Sequence, residues 1–363
     1  MKNGVVCNIA WYWCPSKTYP DAMKIIKEKN VDTKLFFDQD TFAKIFKRLN
    51  LRKQYPSSSE KLNIVDVCTS FSPFAYYMHQ ELHPKNHVLY PESPSAGALW
   101  KQITDKDPLM RDVKVDLGQA NKLLKHSFIR KALNEKWITP REQTDLSKIN
   151  DTLLLVGTFM GFTGSRSLRV LLFFNQMKTS IFQFNNVKFL AWMQPSECLK
   201  FIGPMGSRHR RSNALMTNIF SDVKVIAYSN FSKYRPAERY LTKLYPDAIQ
   251  LPAMTARKDA CLVEFQSNYS KFDIKYPDEL QVLIHKMLIC PSNRVVDNLY
   301  TLGPGAEDYF KKHLSDDLLQ KVLPYVTEEE FVKMSEVYYY WPFKPNTELE
   351  MFLGTPTPIN EDD

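Results

Sequence analysis

The feature that most constrains the fold is a series of short apolar segments, rich in β-branched and aromatic residues, that alternate with helical intervals. This alternation predicts a mostly parallel sheet that is covered by helices on both faces. The series begins with the strand that opens LNIVDVCTSFSPFAYYM (62–78) and continues with NHVLY (86–90), TLLLVGT (152–158), NVKFLAWM (186–193), DVKVIAY (222–228) and ACLVEFQ (260–266).

Helical patterns flank the strands on both sides. An amphipathic helix is predicted between Asp38 and Leu51, and after about residue 268 helical periodicity replaces the strands altogether. Thr327 and Glu330 have the spacing of a capping box at the start of the last helical group. The apolar positions of this later region form three groups: Leu280, Leu283, Ile284 and Met287; Phe310, Leu314, Leu318 and Val322; and Phe331, Met334, Tyr338 and Trp341.

These patterns divide the chain into four predicted parts. Residues 1–30 fit neither domain and are interpreted as an N-terminal extension, either non-native or related to import. Residues 31–268 are predicted to form the sheet domain, and residues 269–345 a small helical domain. Residues 346–363 carry five acidic and no basic residues, with prolines that oppose a helix, and predict a flexible acidic tail.

Composition narrows the class of protein. A chain of 363 residues with 44% hydrophobic content can bury a large core, and its length favours roughly two domains. No run of about 18 apolar residues occurs, so a membrane-spanning helix is not expected. The six cysteines have neither a CxxC pair nor a histidine partner at metal spacing, which predicts reduced thiols and no metal site. The formal net charge of +8 suits a polyanionic partner.

The first strand leads into a turn and a helix, the arrangement in which many α/β enzymes hold a nucleotide-like cofactor. Such a turn requires glycines, because only a residue without Cβ lets the backbone approach the cofactor closely. Here the strand carries Asp66, but the alternating positions that should be glycine are Cys68, Ser70 and Ser72. Glu92, near the end of the second strand, is a candidate for the carboxylate that binds ribose hydroxyls. The sequence therefore has the strand, turn and helix of a cofactor site but lacks the glycines that such a turn requires.

Three later segments carry a resemblance to a known family. VKFLAWMQPSECLKFIGPMGSRHRRSNALMTNIFSDVKVIAYSN (187–230), LVEF (262–265) and EEEFVKMSEVYYYWPFKPN (328–346) resemble the yeast mitochondrial transcription factor B proteins. These are specificity factors of the mitochondrial RNA polymerase and are related to the rRNA adenine dimethyltransferases. The resemblance, from about Lys34 to Asn346, implies an α/β, Rossmann-like class I methyltransferase fold followed by a small C-terminal helical domain.

Carrying the dimethyltransferase positions across gives three vestigial cofactor-binding residues. Phe36 corresponds to a residue before the first helix that touches the cofactor, Glu92 to the ribose carboxylate, and Thr158 to the catalytic asparagine. The segment GTFMG (157–161) offers a flipped adenine no carbonyl acceptor and no proline, and Phe159 is expected to be a core residue. The resemblance therefore implies a degenerate enzyme with no catalytic residues and no required cofactor, with residual S-adenosylmethionine binding left open.

In function, the resemblance implies a non-enzymatic transcription initiation factor of the mitochondrial matrix. Such a factor would act as a monomer, away from membranes, and would help a single-subunit mitochondrial RNA polymerase to recognise and melt promoter DNA. Two alternatives stay open. One is a working S-adenosylmethionine-dependent rRNA adenine N6-dimethyltransferase, and the other is a general RNA-binding protein of the mitochondrial ribosome.

The densest basic cluster is GSRHRR (206–211), which lies between a strand and the next helix. Its guanidinium groups, those of Arg208, Arg210 and Arg211, are predicted to contact phosphates or to stack on unpaired bases of a separated strand. The alternative is a solvated basic loop without a ligand.

Two further segments have functional interpretations. The resemblance implies that the C-terminal tail reaches into the polymerase cleft, the alternative being an end without a role. In the aromatic run from Tyr338 to Trp341, those two residues are predicted to pack in the core, while Tyr339 or Tyr340 faces a partner.

Overall fold

A computed structural model describes most of the chain, and within it the protein divides into two compact units. The first, called the sheet unit, comprises the described residues up to Cys198 together with Ser221–Tyr269. The second, called the helical unit, comprises Leu199–Phe220 and the described residues from Ser270 onward. The predicted extension, Phe36 and the predicted tail lie outside the described residues, which are 39–69, 73–117, 129–160, 162–229, 241–251 and 260–345.

The sheet unit is built on one mostly parallel sheet. Its strands lie in the order β3-β2-β1-β4-β5-β8-β6-β7, and within it β8 runs antiparallel to both of its neighbours. This confirms the predicted fold class, which requires a mostly parallel sheet flanked by helices. The strands described are β1 (Asn63–Thr69), β2 (Asn86–Pro91), β3 (Val113–Val115), β4 (Leu153–Phe159), β5 (Lys188–Met193), β6 (Ser221–Ser229), β7 (Ile249–Leu251) and β8 (Cys261–Ser267).

Helices lead into the sheet and connect its strands. The first has apolar residues at helical spacing, and Phe42, Ile45 and Leu49 are buried, as predicted. Phe46 of the same helix stacks on Phe74 at 5.7 Å between ring centroids. The helices described up to the start of the helical unit are α1 (Gln39–Leu49), α2 (Leu51–Gln54), α3 (Ser58–Lys61), α4 (Pro73–Leu82), α5 (Pro94–Lys106), α6 (Arg130–Asn134), α7 (Phe162–Gln176) and α8 (Pro195–Ile202).

The helical unit contains short helices around two longer ones. Its last helix opens with the predicted capping box: the Thr327 hydroxyl accepts from the Glu330 amide at 3.2 Å, and the Glu330 carboxylate accepts from the Thr327 amide at 2.8 Å. Tyr338 and Trp341 are buried, which confirms that part of the aromatic prediction. The helices described here are α9 (Ser212–Phe220), α10 (Pro277–Met287), α11 (Val295–Asn298), α12 (Ala306–His313), α13 (Asp316–Gln320) and α14 (Glu328–Tyr340).

Two details differ from the predicted organisation. The second group of apolar positions, predicted as one helix, belongs to two. Helix α12 ends at His313, where the backbone of Leu314 becomes extended. Helix α13 follows, and the Ser315 hydroxyl caps it by accepting from the Leu318 amide at 3.4 Å. Val322 lies beyond α13, in a β-bridge with Arg294. The sequence pattern also places Leu199–Phe220 in the sheet domain, whereas this segment groups with the helical unit.

The described ranges contain no helix with the length and hydropathy that a bilayer crossing demands. Within the same ranges, no group of three or more His, Cys, Asp or Glu side chains is arranged to hold a metal ion.

Candidate nucleic-acid interface

The carboxyl ends of β1, β2 and β4 meet at one edge of the sheet, where the cofactor-binding residues are predicted. Val67 of β1 is in register with Tyr90 of β2 and with Gly157 of β4, so Glu92 and Thr158 reach the same edge. Glu92 is half-buried, whereas Thr158 is only 7% exposed.

Other members of the predicted cofactor site are less informative. Asp66 lies inside β1 rather than at its end and is buried. The backbone of Cys68 belongs to β1, but its side chain, together with Ser70, Ser72 and Phe36, lies outside the described residues.

At the end of β4, a buried aromatic ring packs against the strand. Phe159 is fully buried and meets Phe189 edge-on, with 5.6 Å between ring centroids, which confirms its assignment to the core. Its ring covers Gly157 so closely that a Cβ there would lie 2.5 Å from two ring carbons and 2.9 Å from a methyl group of Val67. Glycine at this position is therefore explained by packing of the protein against itself.

Two of the described residues at the end of β4 differ from what the resemblance assigns to a methyl-transfer site. At the position that the resemblance assigns to a catalytic asparagine, Thr158 supplies a hydroxyl, which lacks the separate donor and acceptor of a carboxamide. The neighbouring ring of Phe159 is committed to the core and has no free face for a base. Among the described candidates, Asp66 and Glu92 keep the acidic residue type that the cofactor site requires.

The basic cluster lies in the loop between α8 and α9, called here the basic loop (residues 203–211). Turns within the loop make it compact: the Ser207 amide donates to the Pro204 carbonyl at 3.0 Å, and the Arg210 amide donates to the Ser207 carbonyl at 3.1 Å. The Gly206 amide donates to the Pro324 carbonyl at 2.8 Å. The loop is thereby attached to the segment that precedes α14.

Arg210 is the second attachment and corrects the sequence interpretation. Its side chain is 3% exposed, one terminal nitrogen lies 3.0 Å from the Glu328 carboxylate, and the other donates to the Val326 carbonyl at 3.0 Å. The prediction that Arg210 contacts nucleic acid is therefore wrong. Because the loop folds back on itself, Arg210 turns inward and anchors the loop to the first residue of α14.

Arg208 and Arg211 are exposed, as the nucleic-acid prediction requires. The Arg208 Nε lies 3.5 Å from the His209 Nε2. Partial burial lowers the pKa of His209, and the positive charges of Arg208, Arg211 and Lys200 lower it further. The three cations are thus close enough to act on one imidazole.

Lys200 was not singled out by the sequence analysis. It belongs to the last turn of α8, directly before the basic loop, and its side chain is exposed. Its position at the end of a helix that leads into a basic cluster is the sequence signal that could have identified it. The arrangement can hold anionic groups, and none of its members is placed to activate a nucleophile.

A model of the ribosomal RNA adenine dimethylase family matches residues 27–339. The chain belongs to this family.

Relatives and solved structures agree with the family match. The chain is 26% identical over 325 residues to Mitochondrial transcription factor 1 of Saccharomyces cerevisiae, which covers 86% of this chain and 90% of the relative. It is 23% identical over 321 residues to the protein of the same name from Lachancea kluyveri, covering 87% and 91%. A dimethyladenosine transferase from Plasmodium falciparum superposes with a TM-score of 0.51 at 13% identity, over 83% of this chain and 95% of that one, a likeness of fold alone. The predicted resemblance is confirmed.

Proposed function

We propose that this protein is a mitochondrial transcription initiation factor that assists a single-subunit RNA polymerase at promoters in the mitochondrial matrix. The observation that carries the proposal is the similarity over 86% of the chain to Mitochondrial transcription factor 1 of Saccharomyces cerevisiae. The residues at the end of β4 support it, since Thr158 occupies the position that the resemblance assigns to a catalytic carboxamide, and the ring of the next residue, Phe159, is buried in the core. No methyl donor is required for this function.

In the proposed mechanism, the protein binds one strand of the promoter once the duplex begins to separate. Arg208, Arg211 and Lys200 supply exposed positive charge for the phosphates of that strand. Opening each base-pair step costs on the order of 1–2 kcal/mol of stacking. Binding the separated strand offsets part of this cost, so the polymerase and the factor together favour the open promoter.

A promoter-opening assay tests the proposal. Purified protein and its cognate mitochondrial RNA polymerase are mixed with duplex promoters that carry 2-aminopurine near the start site, and with the same promoters made with mismatched, already open bases. We expect the double variant Arg208→Ala, Arg211→Ala to impair opening and initiation on duplex promoters far more than on open ones. Equal losses on the two templates, or no polymerase-dependent opening by the native protein, would contradict the proposal.

The alternative is an S-adenosylmethionine-dependent rRNA adenine N6-dimethyltransferase, which membership of the family and the retained Glu92 favour. Incubation with radiolabelled S-adenosylmethionine and a small-subunit rRNA hairpin separates the two functions. Label transferred to adenine would support the enzyme, whereas promoter opening without transferred label supports the initiation factor.

A further inference from the structure

An exposed aromatic residue lies against the basic loop. Tyr325 ends a short 3-10 turn (Leu323–Tyr325), in which Leu323 is buried, as is Val326 directly after it. The Tyr325 amide donates to the Val322 carbonyl at 2.8 Å, which fixes the turn. Although its neighbours are anchored in the core of the helical unit, the Tyr325 side chain is 56% exposed. The turn therefore displays an aromatic ring on the surface.

The basic loop packs directly on this ring. Gly206 has a left-handed backbone, with φ of +76°, and a Cβ on it would lie 2.7 Å from the Tyr325 Cε1 and 3.0 Å from its Cζ. Both the conformation and the contact require glycine at this position. The adjacent Met205 is also 53% exposed. One side of the ring is thus supported by the loop backbone, and more than half of the side chain still faces solvent.

The arginine anchor makes the loop and the ring parts of one assembly. Arg210 holds the loop to Val326 and Glu328, and the Gly206 amide holds it to Pro324. These contacts enclose Tyr325 on both sides along the chain. The backbone of the loop that carries the exposed Arg208 and Arg211 is therefore held against the turn that carries the exposed ring.

Proteins that bind a single strand without strict sequence preference combine positively charged side chains with exposed aromatic rings. The ring stacks on the face of an unpaired base, and the cations hold the phosphates that flank it. A duplex offers the ring no exposed base face, so the arrangement favours separated strands. The chain's net charge of +8 favours a polyanion over an apolar partner.

We propose that Tyr325, in contact with Gly206 of the loop that carries Arg208 and Arg211, forms a base-stacking site for single-stranded DNA. The proposal rests on the proposed function and deepens it, because it names the residue that distinguishes a separated strand from a duplex. Tyr325 binds the base, while the arginines bind the phosphate backbone and do not distinguish a separated strand from a duplex.

The experiment measures binding of a fluorescently labelled 12-nucleotide oligothymidine, and of a duplex of the same length, by anisotropy at fixed salt. Tyr325→Leu removes the aromatic face but keeps an apolar side chain, and we expect it to weaken single-strand binding about tenfold. Tyr325→Phe keeps the face and should bind within about twofold of the native protein. Duplex binding should change in neither variant.

Tyr300 provides a matched control. It also belongs to a 3-10 turn of the helical unit and is 65% exposed, so Tyr300→Leu makes the same chemical change elsewhere on that unit. We expect Tyr300→Leu to leave oligothymidine binding unchanged. Thermal unfolding of every variant checks that the fold is retained, and a second variant at the contact, Gly206→Val, should displace the ring and reproduce the effect of Tyr325→Leu.

The outcomes separate this inference from the proposed function. Unchanged strand binding by Tyr325→Leu would overturn the stacking site while leaving polymerase-dependent promoter opening untouched. Loss of promoter opening by Tyr325→Leu with normal oligothymidine binding would also overturn it, because the ring would then contact the polymerase. Tyr325-dependent strand binding by a protein that fails to open promoters would support the site and contradict the proposed function.

Discussion

The end of β4 and the basic loop each place an aromatic ring against a glycine, but the two rings have different surroundings. Phe159 covers Gly157 and has no exposed surface, since Phe189 and the sheet enclose the rest of it. Tyr325 lies against Gly206 and keeps 56% of its side chain in solvent. A close contact between a ring and a glycine therefore says little about function until the other side of the ring is known.

The polar and charged side chains near the two rings differ in exposure in the same way. At the end of β4 the neighbouring polar side chain, Thr158, is buried. At the basic loop, one arginine is buried in an ion pair that attaches the loop to Glu328, and two are exposed. The comparison assigns a packing role to the first region and supports the binding role that is proposed for the second.

The largest effect is expected from removing the buried ring at the end of β4, in contrast to the exposed ring at the basic loop. Phe159→Ala should lower the free energy of unfolding by about 3–5 kcal/mol, because it leaves a cavity in a closed core. Tyr325→Ala should change it by about 0.5 kcal/mol or less, because the residue is mainly exposed. Urea unfolding followed by circular dichroism measures both, and similar losses in the two variants would contradict the comparison.

Within the basic loop, the arginines should separate by function. Arg210→Ala leaves Glu328 without its partner and should lower the free energy of unfolding by about 3 kcal/mol. Arg208→Ala and Arg211→Ala should each change it by about 0.5 kcal/mol or less while weakening strand binding. The assignment fails if Arg210→Ala is as stable as the native protein and loses only binding.

The sheet unit should also respond to acid. His79 of α4 and His87 of β2 are buried with their Nδ1 atoms 3.2 Å apart. Burial lowers the pKa of His79 to about 4, with His83 adding to the effect, and it lowers the pKa of His87 well below its usual value, with His79 adding to the effect.

The direction in which stability changes with pH follows from proton uptake by the unfolded chain. Below about pH 6.5 the unfolded chain binds protons at these histidines that the folded chain excludes, so stability falls as the pH drops towards 4. His79 alone should remove about 2 kcal/mol between pH 7 and pH 5. His79→Gln should flatten the dependence of unfolding free energy on pH, and an unchanged slope would show that the histidine is already charged when folded.

The smallest effect is expected at Lys200. If it contacts one phosphate, Lys200→Ala should reduce the slope of log affinity for oligothymidine against log salt by about 0.7. Lys312→Ala, which removes an exposed lysine from α12, is the control and should leave the slope unchanged. A slope unaffected by Lys200→Ala would limit the interface to the loop itself.

Much of the fold follows from side-chain periodicity where many apolar residues repeat. The four apolar positions of α1 and the uninterrupted run in β4, which is buried along its whole length, are of this kind. Strands β3 and β7 escape prediction because three residues each are too few to establish a period. The break between α12 and α13 depends on a single capping serine within a continuing apolar pattern.

The candidate site is harder to predict, because loops have no period. Three arginines within four positions look equivalent in sequence, and only the tertiary contact with Glu328 separates Arg210 from the other two. The role of Tyr325 cannot be predicted for the same reason, because its contact with Gly206 joins segments that are distant along the chain. The placement of Glu92 and Thr158 at one sheet edge follows from strand order, whereas their cofactor roles remain predictions.

The helical unit is discontinuous in the chain, and this has a consequence for biosynthesis. Helix α9, in which Leu215 and Ile219 are buried, leaves the ribosome well before α10 and α14, two helices of the same unit that it contacts. Until those helices emerge, the nascent chain exposes the apolar residues of α9, which lies between β5 and β6 in the sequence. A premature stop before Glu328 would make that exposure permanent, so truncated products should aggregate or be degraded rather than persist as a stable fragment.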